Sequence, residues 1–296
     1  MKMWYPLGTL SRWYFSFTPS TYPYTLTPSN KSSNYFTLPL SSNFFLQPSP
    51  HWSIILVSVN AFNHMAPRKL LSINQDAKTI KGLKDGYLTG ILYLAPARLG
   101  GLKNVCKYSS KACRFLCINQ TGRGQFNSVQ VARISKTVML IQDEQAFLAN
   151  LKVNISALVK KAQRNSLQAS IRLNGTSDLP WENKGIMQEA SSVTFYDYTK
   201  DPIRMSAYLS GKFPSNYSLT FSRSENNEAK CLDVLSKGGN VAVVFRTKEL
   251  PKTWQGYRVV NGDKNDLRFL DPKGCVIGLY AKGKKARNDK SGFVVD

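Results

Sequence analysis

From residue 87 onward, short apolar runs alternate with stretches of helical period, and few folds accommodate such an alternation. The clearest strand-like runs are 87–94, 168–173, 193–198, 216–221 and 240–245. Strands that alternate with helices usually pair in parallel through right-handed crossovers. The pattern therefore predicts an α/β fold of mostly parallel strands, either an open layered sheet or a full or partial barrel. Several runs are continuously apolar, which favours a sheet covered on both faces.

The helical stretches lie between these runs. Asp143 is expected to cap a long helix in which Phe147, Leu151 and Ile155 recur at helical spacing. Shorter helices are expected at 130–137, 202–209 and 228–236. Three more apolar runs, at 257–260, 267–270 and 276–281, close the chain.

Residues 1–64 differ in composition from the rest. They contain seven of the 14 prolines, no acidic residue, and no steady helical or alternating period. The apolar run 52–59 is too short to span a bilayer. We expect a disordered or non-native N-terminal extension at 1–64, followed by a single α/β domain at 65–296.

The chain is strongly basic, with 40 Lys and Arg against 18 Asp and Glu. Such an excess favours a polyanionic partner, nucleic acid or a nucleotide above all. The densest basic cluster, residues 282–290, is expected to be an exposed loop. Both histidines, His51 and His64, fall in the N-terminal extension, so the domain lacks the histidine that a Ser-His-Asp triad or a zinc protease helix requires.

Three of the five cysteines, Cys106, Cys113 and Cys117, follow the first run with the spacing Cys-x6-Cys-x3-Cys. An odd number of cysteines, three of them so close together, favours a reducing compartment, and we expect a cytoplasmic protein (host cytoplasm if viral) without a membrane span. Three thiolates suit an iron–sulfur cluster with one free iron, or a zinc ion with a fourth ligand from Cys231 or Cys275. Both of those cysteines look more like buried core thiols, and a loop without metal also remains open.

Polar residues follow the later strands where each one ends. They are Asn174 to Asp178 after the second, Asp197, Tyr198 and Lys200 after the third, and Ser222, Arg223 and Glu225 after the fourth. In α/β folds the chemistry lies at the carboxyl ends of the strands. We therefore expect these residues to meet the cysteines. Arg114, Arg123 and Arg172 are candidates to bind a carboxylate-bearing ligand, whereas Asp263, Asp266 and Asp271 look like turn residues.

Several phrases of the sequence resemble the phage gene product 88 domain family. They are Asn104-Val-Cys106, Cys113-x3-Cys117, Thr121-Gly-Arg-Gly124, Arg172-Leu-Asn-Gly-Thr-Ser-Asp178, Tyr196-Asp-Tyr-Thr-Lys200, Asn216 to Ser222, Gly262-Asp263, Asp266 and Ser291-Gly-Phe293. The resemblance covers roughly Leu70 to Asp296. It implies a family but not an activity.

A more distant resemblance is to radical SAM enzymes, whose partial barrels carry a three-cysteine loop after the first strand. It implies a partial (β/α) barrel in which Cys106, Cys113 and Cys117 bind a 4Fe-4S cluster whose free iron holds S-adenosylmethionine. The cofactor would then lie against Asn174, Thr176, Ser177 and Asp178 on one side and Ser222, Arg223 and Glu225 on the other. The usual spacing in those enzymes is Cys-x3-Cys-x2-Cys, from which this sequence departs.

Two functions follow from the sequence. One is a radical SAM-like iron–sulfur enzyme that modifies a nucleic acid, a nucleotide or another substrate. The other is a basic nucleic-acid-binding phage protein with a structural zinc ion or no metal.

Overall fold

The computed structural model describes residues 69–296, which form a mixed α/β fold. Its strands are β1 (Leu71–Ile73), β2 (Tyr87–Leu92), β3 (Gln168–Arg172), β4 (Thr194–Thr199), β5 (Tyr217–Ser222), β6 (Val241–Phe245), β7 (Thr253–Trp254), β8 (Tyr257–Asn261), β9 (Val276–Tyr280) and β10 (Val294–Val295). Its helices are α1 (Ala77–Gly82), α2 (Lys111–Phe115), α3 (Asn127–Gln142), α4 (Glu144–Arg164), α5 (Ile186–Glu189), α6 (Pro202–Leu209), α7 (Glu228–Ser236) and α8 (Gly283–Arg287).

The strands form one mostly parallel sheet in the order β1-β2-β3-β4-β5-β6-β9-β8-β7, with β10 beside β6. From β2 to β6 each strand pairs in parallel with the next strand of the chain. Only β1 and β7, at the two ends of this order, pair antiparallel to their neighbours. The carboxyl ends of β2 to β6 therefore all lie along one side of the sheet, which we call the carboxyl edge.

Helices α4 to α7 cover one face of the sheet. Leu88, Ile171, Phe195, Leu219 and Val243 are all buried on that face, in one core with apolar side chains of α4, α5, α6 and α7. Helix α4 contributes the regularly spaced side chains that the sequence predicts. Its predicted cap is also confirmed, since the Asp143 side chain accepts a hydrogen bond from the Ala146 N–H at 2.9 Å.

Alternate side chains of each strand point to the opposite face, where β2 to β5 carry mostly polar side chains and β6 and β9 contribute an apolar cluster that includes Ala242 and Ile277. Thr89 and Ser170 share a hydrogen bond of 2.8 Å, and Tyr196 donates one of 3.0 Å to Asp266. A turn of 3₁₀ helix, Arg268–Leu270, packs against this polar face through Phe269, whose ring centre lies 5.7 Å from that of Tyr196. The centre of the sheet is therefore covered on both faces, as the sequence suggests, although the second covered face is mostly polar from β2 to β5.

The predicted elements are largely confirmed. Helices α6 and α7 have the predicted bounds, and strands β2 to β6 match within about two residues. The expected helix 130–137 is the middle of the longer α3, which buries Gln130, Arg133 and Lys136 and so lacks the apolar period that would mark its ends. The run 267–270 is a 3₁₀ turn, and the basic cluster 282–290 contains the short helix α8 instead of being entirely a loop.

Two expectations concern other parts of the molecule. The N-terminal extension 1–64 lies outside the described residues. Within 69–296, no helix combines the length and the apolar character that crossing a bilayer requires.

Candidate functional site

The cysteine loop, residues 104–124, follows β2 at the carboxyl edge. Cys106 precedes the short helix α2, Cys113 lies within it, and Cys117 comes just after it. Ser110 caps this helix, because its hydroxyl accepts a hydrogen bond from the Cys113 N–H at 3.0 Å. All three thiols are free and partly exposed, so the local fold arranges them around one turn of helix.

The loop after β3 holds Cys106 in place. The Asp178 N–H donates to the carbonyl of the residue before Cys106 at 2.8 Å, and the Cys106 thiol donates to the Thr176 carbonyl at 3.5 Å. Gly175 permits this approach, because a Cβ atom there would lie 2.6 Å from the Tyr93 ring. Glycine is thus required for the β3 loop to pack against the end of β2.

Glu225, after β5, holds the other side of the cysteine loop. Its carboxylate accepts hydrogen bonds from the Ser110 hydroxyl at 2.6 Å and the Ala112 N–H at 3.1 Å. Partial burial raises the pKa of Glu225, but these hydrogen bonds and the nearby charge of Lys200 outweigh it and hold that pKa below its ordinary value. The cysteine loop is therefore fastened to the ends of both β3 and β5.

Asp178 connects the β3 loop to the end of β4. Its carboxylate accepts hydrogen bonds of 2.8 Å from the Thr199 hydroxyl and from the Lys200 N–H, and it pairs with Arg204 at 2.7 Å. Arg204 is buried and pairs at 2.8 Å with Glu182 as well. Four neighbouring strand ends are thus brought together, as the sequence predicts.

Asn174 and Ser177 are buried, and their side chains form hydrogen bonds within the β3 loop and with its neighbours. The Asn174 side-chain oxygen accepts hydrogen bonds from the Ser177 hydroxyl at 2.8 Å and the Trp181 indole at 3.2 Å. The Asn174 N–H donates to Asp197 at 2.7 Å. Burial raises the pKa of Asp197 to about 7, although that hydrogen bond opposes the shift. These side chains shape the loop that presents Thr176 to the cysteines.

Arg223 connects the end of β5 to the C-terminal segment. It pairs with Glu228 at 2.9 Å, donates to the Gly292 carbonyl at 2.7 Å and lies 5.8 Å from the Trp254 ring centre. Ser222 is half-buried, and its carbonyl accepts a hydrogen bond from Asn227. Of the residues predicted after β5, Glu225 is the one that contacts the cysteine loop.

Burial and the charges of neighbouring groups set the pKa values of Cys106 and Cys117. Burial raises the pKa of Cys106 to about 12, and thiolates at Cys117 and Cys113 would raise it further. Burial also raises the pKa of Cys117, again with a contribution from Cys113, whereas Arg133 and Lys200 oppose the shift.

The arrangement does not, however, form a ready single-metal site. Within residues 69–296, no three or more Cys, His, Asp or Glu side chains are close enough to ligate one ion. Cys231 and Cys275 are buried, on α7 and just before β9, as the sequence predicts. The Cys275 thiol donates to the Pro272 carbonyl at 3.0 Å.

One of the three cations expected near the thiols, Arg172, lies elsewhere. Arg172 is bound to Asp266 at 3.2 Å on the polar face. Lys200, at the end of β4, and Arg133, on α3, lie near Cys117 instead. Lys200 follows directly from the strand-end pattern. Arg133 carries no sequence signal, because its place depends on how α3 packs behind the cysteine loop.

The three C-terminal aspartates do not form one carboxylate site. Asp263 pairs with Lys78 at 2.8 Å, Asp266 with Arg172 at 3.2 Å, and Asp271 with Arg268 at 3.2 Å. Their charges are therefore used in separate ion pairs, of which those of Asp263 and Asp266 attach residues 263–271 to the rest of the fold.

Together these features define an α/β protein with a sequentially ordered parallel sheet, one polar face, and a three-cysteine loop fastened at its carboxyl edge. The family model of gene product 88 matches residues 69–296. The chain belongs to the gene product 88 family. No curated protein and no solved structure matches the sequence.

Proposed function

We propose that this phage-type protein binds a 4Fe-4S cluster through Cys106, Cys113 and Cys117 and is a radical SAM-like enzyme. The observation that carries the proposal is the position of the cysteine loop, which follows the first parallel strand and is fastened to the ends of β3 and β5. The carboxyl edge is where α/β enzymes generally assemble their catalytic residues.

The strand order supports the partial barrel that this proposal includes. Five parallel strands follow one another in chain order, and their helices pack on one face. Such a sheet can curl around its other face, and here that face carries hydroxyl, guanidinium and phenol groups such as Thr89, Ser170, Arg172 and Tyr196. Thr89, Ser170 and Tyr196 are fully buried and are already hydrogen-bonded within the protein, so a cofactor would bind beyond them, at the strand ends.

The described residues contain no preformed metal site, so either kind of metal would bind only after the three thiols rearrange. Tetrahedral zinc with Zn–S bonds of about 2.3 Å needs sulfur atoms roughly 3.8 Å apart, and no described group is close enough to ligate one ion. A cubane cluster takes each thiolate on a different iron, so its ligands stand farther apart. The positive charges of Arg133 and Lys200 would offset the thiolate charge that metal binding requires.

S-adenosylmethionine would bind on the free iron, between the β3 and β5 loops. When bound, a reduced cluster and the cofactor would supply one-electron chemistry capable of removing a hydrogen atom from a substrate. Ser222 would offer its hydroxyl group, while Asn174, Thr176, Ser177, Asp178 and Arg223 would hold the two loops in position. Glu225 would face the ammonium group. Lys200, whose side chain forms no ion pair within residues 69–296, would face the carboxylate.

The test is the metal content of the full chain, purified without oxygen, for the wild type and for single Cys→Ala variants. We expect Cys106→Ala, Cys113→Ala and Cys117→Ala each to lose most of the bound iron and sulfide. Cys231→Ala and Cys275→Ala are the matched controls and should retain both. A triple variant at 106, 113 and 117 that binds iron as the wild type does would refute the proposal.

The alternative is a basic nucleic-acid-binding protein whose cysteine loop holds zinc or no metal. The net charge of +22 favours it. In that case the wild type would contain zinc, or neither metal, and nucleic-acid binding would survive removal of iron.

A further inference from the structure

A groove lies between the cysteine loop and helix α8. It has a volume of about 240 Å³, with Phe115, Cys117 and Thr121 on one wall and Lys282, Lys284 and Lys285 on the other. A small apolar cluster, which includes Leu116 and Ala286, holds the two walls together. We call it the basic groove, and one of its walls contains the candidate cluster ligand Cys117.

Both walls come from segments without acidic residues. Residues 86–142 contain no Asp or Glu, but they do contain Arg98, Lys103, Lys107, Lys111, Arg114, Arg123, Arg133 and Lys136. Residues 272–288 likewise contain no acid, and contain Lys273, Lys282, Lys284, Lys285 and Arg287. Lys282 pairs with Asp263 at 3.1 Å, whereas Lys284 and Lys285 are exposed and form no ion pair within residues 69–296. The groove therefore suits an anion.

Apolar side chains are exposed beside these charges. Phe115 is 62% exposed, Phe126 57% and Ile118 49%, although each lies in or next to the cysteine loop. The Lys285 ammonium lies 5.2 Å from the centre of the Phe115 ring. Of these three side chains, Phe115 lines the groove. An exposed aromatic ring beside lysines suits single-stranded nucleic acid, because the ring can stack on a base while the lysines contact phosphates.

We infer that the basic groove binds single-stranded nucleic acid, with Lys284 and Lys285 on the phosphates and Phe115 stacked on a base. Its role as the substrate site rests on the function proposed above. The cavity is smaller than the roughly 300–1,000 Å³ of pockets that enclose a drug-sized ligand, so it suits one nucleotide of a longer strand. Since Phe115 lies two residues from both Cys113 and Cys117, that nucleotide would lie next to the cluster ligands.

The test is fluorescence anisotropy of the full chain with a labelled 15-nucleotide single strand, as DNA and as RNA, over a range of salt concentrations. We expect Lys284→Ala/Lys285→Ala to weaken binding at low salt and to reduce the log–log salt slope by about 1.4, because each phosphate contact on a single strand contributes about 0.7. Phe115→Ala should weaken binding by about tenfold with little change in that slope.

Matched controls lie in the helix layer. Lys160 and Lys161 are adjacent exposed lysines on α4, and Ile203 is 72% exposed on α6. Lys160→Ala/Lys161→Ala and Ile203→Ala should bind as the wild type does. Equal losses in the groove and control lysine variants, or tighter binding of a duplex than of the single strand, would overturn the inference.

Iron content measured on the same preparations distinguishes the proposed iron–sulfur enzyme from nucleic-acid binding in the basic groove. Wild-type protein without iron that still binds the strand through Lys284, Lys285 and Phe115 would refute the proposed enzyme and support the groove. Protein with a full cluster that binds no strand even at low salt would refute the groove and leave the cluster in place.

Discussion

At the scale of single residues, burial favours the neutral thiol at Cys106 and Cys117 until a metal replaces the proton. Burial raises the pKa of Cys106 to about 12, so roughly one thiol in 10,000 is ionised at pH 8. A buried thiol of this kind is unreactive on its own. Binding of metal would supply the positive charge that stabilises the thiolate.

The metal-free protein should therefore alkylate slowly at Cys106. We expect its reaction with iodoacetamide, followed by mass spectrometry of the peptide, to speed up about tenfold for each pH unit between 8 and 11. In denaturant, where a cysteine has a pKa of about 8.5, the same thiol should react about a thousandfold faster at pH 8. Equal rates in the folded and the denatured protein would contradict the burial that we describe.

At the scale of elements, the candidate site depends on how closely the strand ends approach one another. Gly175→Ala would place a Cβ atom 2.6 Å from Tyr93 and 2.7 Å from a backbone oxygen. We expect a loss of about 1–3 kcal/mol in the free energy of unfolding, together with a lower iron content, because the β3 loop would move away from Cys106. Gly82→Ala is the control, since its nearest neighbours lie at 3.5 Å. If Gly175→Ala kept the stability and iron of the wild type, this explanation of Gly175 would fail.

Arg204 fastens helix α6 to the β3 loop through Asp178 and Glu182. Its side chain is only 7% exposed, so Arg204→Ala would leave two buried carboxylates without their cation. We expect a loss of about 3–5 kcal/mol in the free energy of unfolding, measured in urea. Arg164→Ala, at the exposed end of α4, should change it by less than about 0.5 kcal/mol. Similar losses in the two variants would show that the ion pairs contribute little.

The elements that the sequence predicts are those whose signals are local. Local sequence patterns, either an apolar period or a capping residue, mark helices α6 and α7 and the central strands. Strand β1 has only three residues, and α3 buries polar side chains, so neither has such a pattern. The ends of β2 to β5 meet as predicted because parallel strands in chain order place them side by side.

What the sequence does not give is the set of partners that each polar side chain finds. Ser110 and Glu225 are far apart in the chain, yet they share a hydrogen bond of 2.6 Å. Arg172 and Asp266 pair across the polar face in the same way. Such pairs depend on long-range packing, and the sequence around one residue does not identify its partner.

At the scale of the whole molecule, the layout of the sheet and the distribution of charge both support a site at the carboxyl edge. Helices cover one face, and the cysteine loop and the basic groove adjoin at the carboxyl edge. The chain carries a net charge of +22, and the segments that line the groove lack acidic residues. An enzyme that acts on a polyanion would place its reactive centre next to its basic surface, as we propose here.

The most direct test of the proposed function is the electron paramagnetic resonance spectrum of the reduced wild-type protein, prepared without oxygen, with and without S-adenosylmethionine. We predict about four irons per chain and a cluster signal that changes when the cofactor binds to the free iron. A preparation with one zinc ion and no cluster signal, or a cluster signal that S-adenosylmethionine leaves unchanged, would contradict the proposal.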